Sequence, residues 1–226
     1  MKREICRSVW MLLAVMFLAG CAAGGMKKVD TAGFLTDYSQ LKPGGEDRAA
    51  LVYIKPGVDF KAYNKIMFDR VTVVLSPEAD YKVVDPALLK EMTDYFQLAL
   101  LNAVKDGYQV VDQPGPGVLW VRAAITDLKP SKPASNTMST VMPVGWVVAG
   151  ATKVASDDNL GTGEAAAEME FLDSLTAERL AAAVDRRQGG KMAFRGKWTD
   201  TKDAFDFWAE RFRERLDEMR GVAAKK

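Results

Sequence analysis

A chain of 226 residues with 31 Lys and Arg against 30 Asp and Glu has length for one well-packed body and no electrostatic footprint for nucleic acid. Its lack of histidine removes the commonest general base and zinc ligand, and with them Ser-His-Asp, Cys-His and His-bearing zinc chemistry. No catalytic residue, metal-ligand set or cofactor is assigned, and no internal repeat is visible.

At the N-terminus, Lys2, Arg3 and Arg7 precede an uncharged apolar run from Val9 to Leu18. That is a signal peptide, too short and wrongly flanked for a spanning helix. The run ends in Leu18-Ala19-Gly20-Cys21, which resembles the lipobox of bacterial prolipoproteins. The resemblance implies signal peptidase recognition through Leu18, Ala19 and Gly20, cleavage of residues 1–20, and anchoring in the bilayer by acyl chains such as palmitate on Cys21. Ala22 follows, where an Asp would typically retain a lipoprotein at the inner membrane, so the expected location is the outer membrane, facing the periplasm. Cleavage takes Cys6 and acylation takes Cys21, so of the 2 cysteines none remains for a disulfide or a nucleophile. Cleavage also removes Lys2, Arg3, Arg7 and Glu4 from the 31 cationic and 30 anionic side chains, leaving 28 against 29.

Residues 21–33 read as a lipidated N-terminus and flexible tether, small and polar, with Lys27 and Lys28 placed to touch headgroups. Phe34, Leu35, Tyr38 and Leu41 have the spacing of one or two helical turns, stopped by Pro43-Gly44-Gly45. Leu51 to Ile54 is a short apolar run, and Ile66 to Leu75 reads as a strand whose two apolar faces suit a central position. Asp85-Pro86 starts a helix whose apolar stripe runs from Leu88 to Val104, and Gly107 ends it. Tyr108 to Asp112 and Val118 to Leu128 are strands, and Pro116-Gly117 between them suits a type II turn. Ser131 to Gly163 is the least regular part; its apolar residues Trp146, Val147 and Val148 are the candidate partner contact, although a plain covering element on the sheet edge accounts for them as well.

Glu164 to Leu172 alternates, with Glu164, Ala166, Glu168 and Glu170 on one side and Ala165, Ala167, Met169 and Phe171 on the other. With Arg179 to Asp185 it predicts a hairpin with one dry face and one wet face. A final helix opens around Thr199-Asp200-Thr201 and runs to Gly221, burying Phe205, Trp208, Phe212 and Leu216. The expected fold class is α+β: a single domain over residues 34–226, in which two long helices cover one face of a mixed, largely antiparallel sheet of about five strands.

Gly33-Phe34-Leu35-Thr36-Asp37-Tyr38-Ser39-Gln40-Leu41, Tyr53-Ile54-Lys55-Pro56-Gly57, Ala124-Ile125-Thr126-Asp127-Leu128 and Leu180-Ala181-Ala182-Ala183-Val184-Asp185-Arg186-Arg187 resemble a bacterial lipoprotein family known as domain of unknown function 3313. The resemblance implies an envelope location and supplies no reaction and no functional residues. One departure is Ala177, where the family pattern has the Gly of a Thr-Gly-Glu turn.

Three functions stand against these residues. The first is a non-enzymatic accessory component docking a cell-envelope complex. The second is a periplasmic binding module for peptidoglycan, lipid or a small molecule, with Arg122 or Asp185-Arg186-Arg187 as anion contacts. The third, and least favoured, is a carboxylate-based hydrolase using Glu164, Glu168 and Glu170, whose alternate spacing of roughly 6.5 to 7 Å approaches that of an inverting pair. Three acids on one side of an amphipathic strand read more simply as a solvated face. Asp157-Asp158-Asn159 lacks the spaced oxygen ligands of a calcium loop. Homo-oligomerisation is left open.

Overall fold

The computed structural model describes residues 30–45, 47–77, 79, 85–131, 163–189 and 196–222. Eight strands form one mixed sheet: β1 Lys42–Pro43, β2 Leu51–Ile54, β3 Lys65–Phe68, β4 Thr72–Val73, β5 Gln109–Val110, β6 Val118–Lys129, β7 Glu164–Asp173 and β8 Arg179–Gln188. Two helices, α1 Pro86–Val104 and α2 Thr199–Arg220, complete the expected α+β body.

The order across the sheet is β1-β2-β8-β7-β6-β3-β5, with β4 also pairing to β6. The long strands β6, β7 and β8 are mutually antiparallel, whereas β3 and β4 run parallel to β6. More strands appear than the five expected because the chain adds two-residue pairings at the edges and because the run from Ile66 to Leu75 is broken. The break falls at Asp69 to Val71, where the Val71 N–H leaves the ladder for Gln97 Oε1 on α1 at 2.9 Å and its side chain enters the core. Nor is this stretch central, since β3 lies one strand from the edge, between β6 and β5.

Both helices lie on one face. α1 starts as its sequence dictates: Asp85 accepts from Ala87 N at 3.0 Å, and Pro86 occupies a position that has no N–H to lose. α2 ends on Gly221 at φ 69°, and the following N–H groups return to the Asp217 and Glu218 carbonyls. The helices run parallel, joined at successive levels by Lys202 to Glu91, Tyr95 to Asp206 and Arg213 to the Ala103 carbonyl. Beneath them, Phe96 and Phe205 stack at 4.7 Å, and Trp208 and Phe212 pack as the core anchors their spacing implied.

The opposite face is also covered. Residues 30–41 cross it as an irregular strap of bends and a turn, Leu35 packing on Ala182 and Val184 beside Phe34, Tyr38 and Leu41. The expected helical turns from Phe34 to Leu41 are therefore absent: their apolar residues meet the sheet, Leu35 N donates to the Glu168 carboxylate and Ser39 N to Asp37, and the one preceding carbonyl taken is that of Tyr38, by Leu41 N in a tight turn.

In the β7–β8 turn, Asp173 Oδ1 accepts from Leu175 N, Thr176 N and Thr176 Oγ1 at 2.9 to 3.0 Å. Ala177 then adopts φ 56°, the one non-glycine residue at positive φ among the described residues. A left-handed L residue costs roughly 1 to 2 kcal/mol, partly offset in Gly by its looser unfolded state. Ala177→Gly should therefore stabilise the protein by about 0.5 to 1 kcal/mol in urea unfolding; a lower midpoint would mean that the turn carries no such strain.

Candidate functional site

The row Glu164, Glu168 and Glu170 lies on the sheet face away from the helices, but it is not the solvated surface that alternation implied. The three residues are 6%, 0% and 3% exposed. Each is enclosed because the strap and the neighbouring strands bring donors to it. Glu170 accepts from Arg122 Nη1 at 2.8 Å and from Arg179 Nε at 2.7 Å. Arg179 reaches on to the Asp37 carbonyl and Thr36 Oγ1 of the strap, and the Arg122 guanidinium lies 5.2 Å from the centre of the Phe34 ring. Glu164 accepts from Arg186 Nη1 at 2.8 Å and Gln188 Nε2 at 3.1 Å, while Asp127 stands 3.2 Å from the same guanidinium nitrogen. Burial opposes the charge on Arg186, but Glu164, Asp127 and Asp30 outweigh it and hold its pKa above the ordinary value. Arg122 and Arg186 are thus inner struts rather than anion-binding groups.

Glu168 is the centre of this arrangement. It takes the Ala32 N–H at 2.6 Å, the Leu35 N–H at 3.3 Å and the Tyr38 hydroxyl at 2.5 Å. Tyr38 in turn accepts from Gly33 N and Leu35 N, so a loop of strap is wrapped around one carboxylate.

This pattern, a phenol donating to an acid, recurs at Tyr63 with Asp173, Tyr95 with Asp206 and Tyr108 with Asp217. Burial first, and the neighbouring carboxylate second, push Tyr38, Tyr63 and Tyr95 up to about 12 and raise Tyr108. A phenol in the unfolded chain titrates near 10. Because the folded values are higher, the stabilisation is complete below about pH 10 and is lost as pH rises through about 12. Ultraviolet titration should find Tyr38, Tyr63 and Tyr95 still largely protonated at about pH 11, with unfolding setting in above it; a single phenolate step near 10 would contradict this.

A second acid organises one end of the body. Asp200, 3% exposed in the first turn of α2, accepts from Ser131 Oγ at 2.7 Å and Gly163 N at 2.9 Å. It thereby joins the residue at which the chain leaves β6 to the residue at which it enters β7. Ser131 N also donates to the Lys197 carbonyl, and Gly189 N to that of Gly163. A Cβ on Gly189 would lie 2.0 Å from Asp200 Cγ, so glycine there is a requirement of close approach.

A cleft of about 180 Å³ opens between α2 and the β2–β8 edge. Ala167, Ala181 and Ala183 form a floor too shallow to fill the space, and Phe171, Trp208, Phe212, Leu216 and Met219 wall it. Asp185 in the wall is engaged, accepting from Trp208 Nε1 at 2.7 Å and Ala50 N at 3.0 Å. At the rim, Arg211 pairs with Glu214 and Arg215 with Glu218, so the mouth selects no sign of charge. A dry cavity of about 150 Å³ accepts benzene, so this one fits a single ring or short alkyl group.

Of the residues singled out in the sequence, Leu18, Ala19, Gly20 and Cys21, the contact candidates Trp146, Val147 and Val148, and Asp157-Asp158-Asn159 lie outside the described residues. The hairpin brings Glu164, Glu168 and Glu170 onto one face and commits all three to structural contacts. Sequence reasoning missed Asp200, which looks like a helix-capping residue beside Thr199, and it placed Asp185 in an anion contact, whereas Asp185 accepts from Trp208 and Ala50 inside the fold. Only their distant partners mark them, and no local spacing records those. Among the described residues no group of acids is arranged to hold a metal, and no helix is long and apolar enough to cross a membrane.

Residues 30–212 match the family model described as "Protein of unknown function (DUF3313)". The uncharacterized lipoprotein YdcL of Escherichia coli K12 is 27% identical over 180 residues, covering 79% of this chain and 80% of that one. Among solved structures, the PelC dodecamer from Paraburkholderia phytofirmans is similar with TM-score 0.37 and 10% identity, over 70% of this chain and 94% of that one. A minor lipoprotein from Acinetobacter baumannii is similar with TM-score 0.32 and 9% identity, over 70% of this chain and 95% of that one. With the match spanning strap, sheet and most of both helices, the chain belongs to DUF3313, a bacterial lipoprotein family of unknown function.

Proposed function

We propose that this lipoprotein is a non-enzymatic accessory component of the envelope, anchored in the outer membrane by acyl chains on Cys21, faced to the periplasm, and docking a cell-envelope complex. The observation that carries the reading is where its buried acids are spent. Glu168 and Glu170 hold the strap that leads toward Cys21, and Asp200 ties Ser131 at the end of β6 to Gly163 at the start of β7. A body whose buried acids serve to fix its own connections, with none left open to a substrate, suits a mount better than an enzyme. Trp146, Val147 and Val148 remain the proposed contact. Crosslinking in intact cells, followed by purification of the lipidated protein, tests this. A stoichiometric partner that disappears on Trp146→Asp, with the fold intact by circular dichroism, supports docking through that segment. Recovery of the protein alone, after crosslinking that captures other envelope complexes, would sink it.

A second reading, a binding module for a small apolar ligand, is favoured by the cleft under α2. Its test is an apolar fluorescent probe such as N-phenylnaphthylamine. Ala183→Leu, which fills the floor, should abolish probe binding, while Trp146→Asp leaves it unchanged.

A further inference from the structure

We infer that the pole of the body where β6 ends and β7 begins is its membrane-facing surface, with the headgroup layer of the bilayer as its partner; the inference rests on acylation of Cys21. Its basis is the direction of the strap. Asp30 lies 4.0 Å from Arg186, near the end of β8, whereas Thr36 and Asp37 meet Arg179 at the start of β8. The strap therefore runs along the whole back face, and the chain toward Cys21 departs from the β6-end pole.

The chain outside the structure is short. The nine peptide links from Cys21 to Asp30 span about 30 Å fully extended and roughly 15 to 18 Å as a coil. By contrast, β6 with its 12 residues is about 36 to 40 Å long. With Cys21 at the headgroups, the β6-end pole is held within one tether length of the bilayer. The β7–β8 turn at Leu175 lies a strand length from that pole, so the tether brings the first pole to the bilayer before the second.

The chemistry of that pole suits headgroups better than the back face does. Lys197 is exposed with its ammonium 5.6 Å from the centre of the half-buried Trp198 ring, an aromatic and a cation paired as they are at membrane interfaces. Asp30, the acid nearest the strap's exit, faces Arg186 rather than the bilayer. Lys27 and Lys28 precede it in the tether. The back face, in contrast, presents the exposed Thr36 and Asp37 of the strap, and its cation Arg122 is held by Glu170 and the Phe34 ring.

Because Cys6 is removed and the Cys21 thiol is acylated, introduced cysteines are the only reactive thiols expected in the mature chain. The test uses the full lipidated protein in phosphatidylethanolamine–phosphatidylglycerol vesicles containing an acceptor lipid, with a donor fluorophore on Gln188→Cys or Lys197→Cys at one pole, or on Lys105→Cys or Leu175→Cys at the other. Energy transfer should be several-fold stronger from the first pair than from the second. Lys197→Glu should weaken it with the donor at position 188. Equal transfer from both poles, or the reverse order, overturns the inference. A wild-type protein that does not float with vesicles, or floats equally well after Cys21→Ser, overturns the acylation reading itself, and flotation reports that separately from the orientation.

Discussion

Glu168→Ala should destabilise the protein by about 3 kcal/mol or more, the largest effect expected of any single polar substitution here. The side chain is fully buried, and its removal leaves the Ala32 N–H and the Tyr38 hydroxyl without their acceptor and the Leu35 N–H with only the Tyr38 oxygen. Each orphaned buried donor costs about 1 to 3 kcal/mol. Glu168→Leu should bring little relief despite its similar volume, because two of the three donors are main-chain groups that no substitution removes. Glu168→Gln keeps one oxygen and turns an NH₂ toward the donors, so it should fall between Glu168→Ala and Tyr38→Phe, which loses one hydrogen bond worth about 1 kcal/mol. For a chain of this size the alanine variant should melt about 6 to 12 °C below wild type. Local release should precede global unfolding, so chymotryptic cleavage at Phe34, Leu35, Tyr38 or Leu41 should rise in conditions where the rest stays folded. An unchanged urea midpoint with unchanged cleavage would show that the strap is held by Leu35 and its apolar neighbours alone.

The same residue shows where the sequence stops being legible. Period-two alternation along Glu164 to Leu172 places side chains on faces, and it did so correctly: Ala165, Ala167 and Met169 meet the helices, and Glu164, Glu168 and Glu170 lie opposite. It cannot say what covers a face. A row of acids under water and a row under a strap of N–H groups, phenol and guanidinium have the same pattern, because the donors come from up to 136 positions away. The strap misleads for a related reason. Phe34, Leu35, Tyr38 and Leu41 have helical spacing, yet those apolar residues reach a common surface equally well in a looped chain, and the local pattern does not contain Glu168. Where the deciding interaction is local, the reading holds. Asp85-Pro86 starts α1, Pro116-Gly117 makes its turn with Gly117 at φ 70°, and Ala177 sits in the strained conformation that a missing glycine implies. Length and composition could not foretell the cleft either, since the alanines that make its floor read as ordinary small residues of a strand.

Asp200 and Gly189 should behave as one unit. Asp200→Ala removes the acceptor of Ser131 Oγ and Gly163 N in a site 3% exposed, and also an acid from the first turn of α2, whose N-cap residue Trp198 supplies no side-chain capping bond. A loss of about 2 to 4 kcal/mol follows. Gly189→Ala should also destabilise, for a different reason: its Cβ would overlap Asp200 Cγ at 2.0 Å, and the carboxylate cannot swing away without breaking those two hydrogen bonds. The double variant separates this account from two independent defects. Truncating Asp200 to Ala removes the overlaps with Cγ at 2.0 Å and Oδ1 at 2.4 Å but keeps Cβ at 2.4 Å, so adding Gly189→Ala should still be destabilising in that background, by about 1 kcal/mol less than in wild type. Strict additivity in urea unfolding would refute the close-packing explanation for Gly189. A functional consequence accompanies the energetic one. Asp200 holds Ser131 at the end of β6 to Gly163 at the start of β7, so Asp200→Ala should loosen this end of the sheet, with faster amide exchange at Ser131 and Gly163, while α1 and the Phe96–Phe205 stack remain protected. If docking depends on this end of the sheet, the same variant should weaken partner recovery even though Trp146 is untouched.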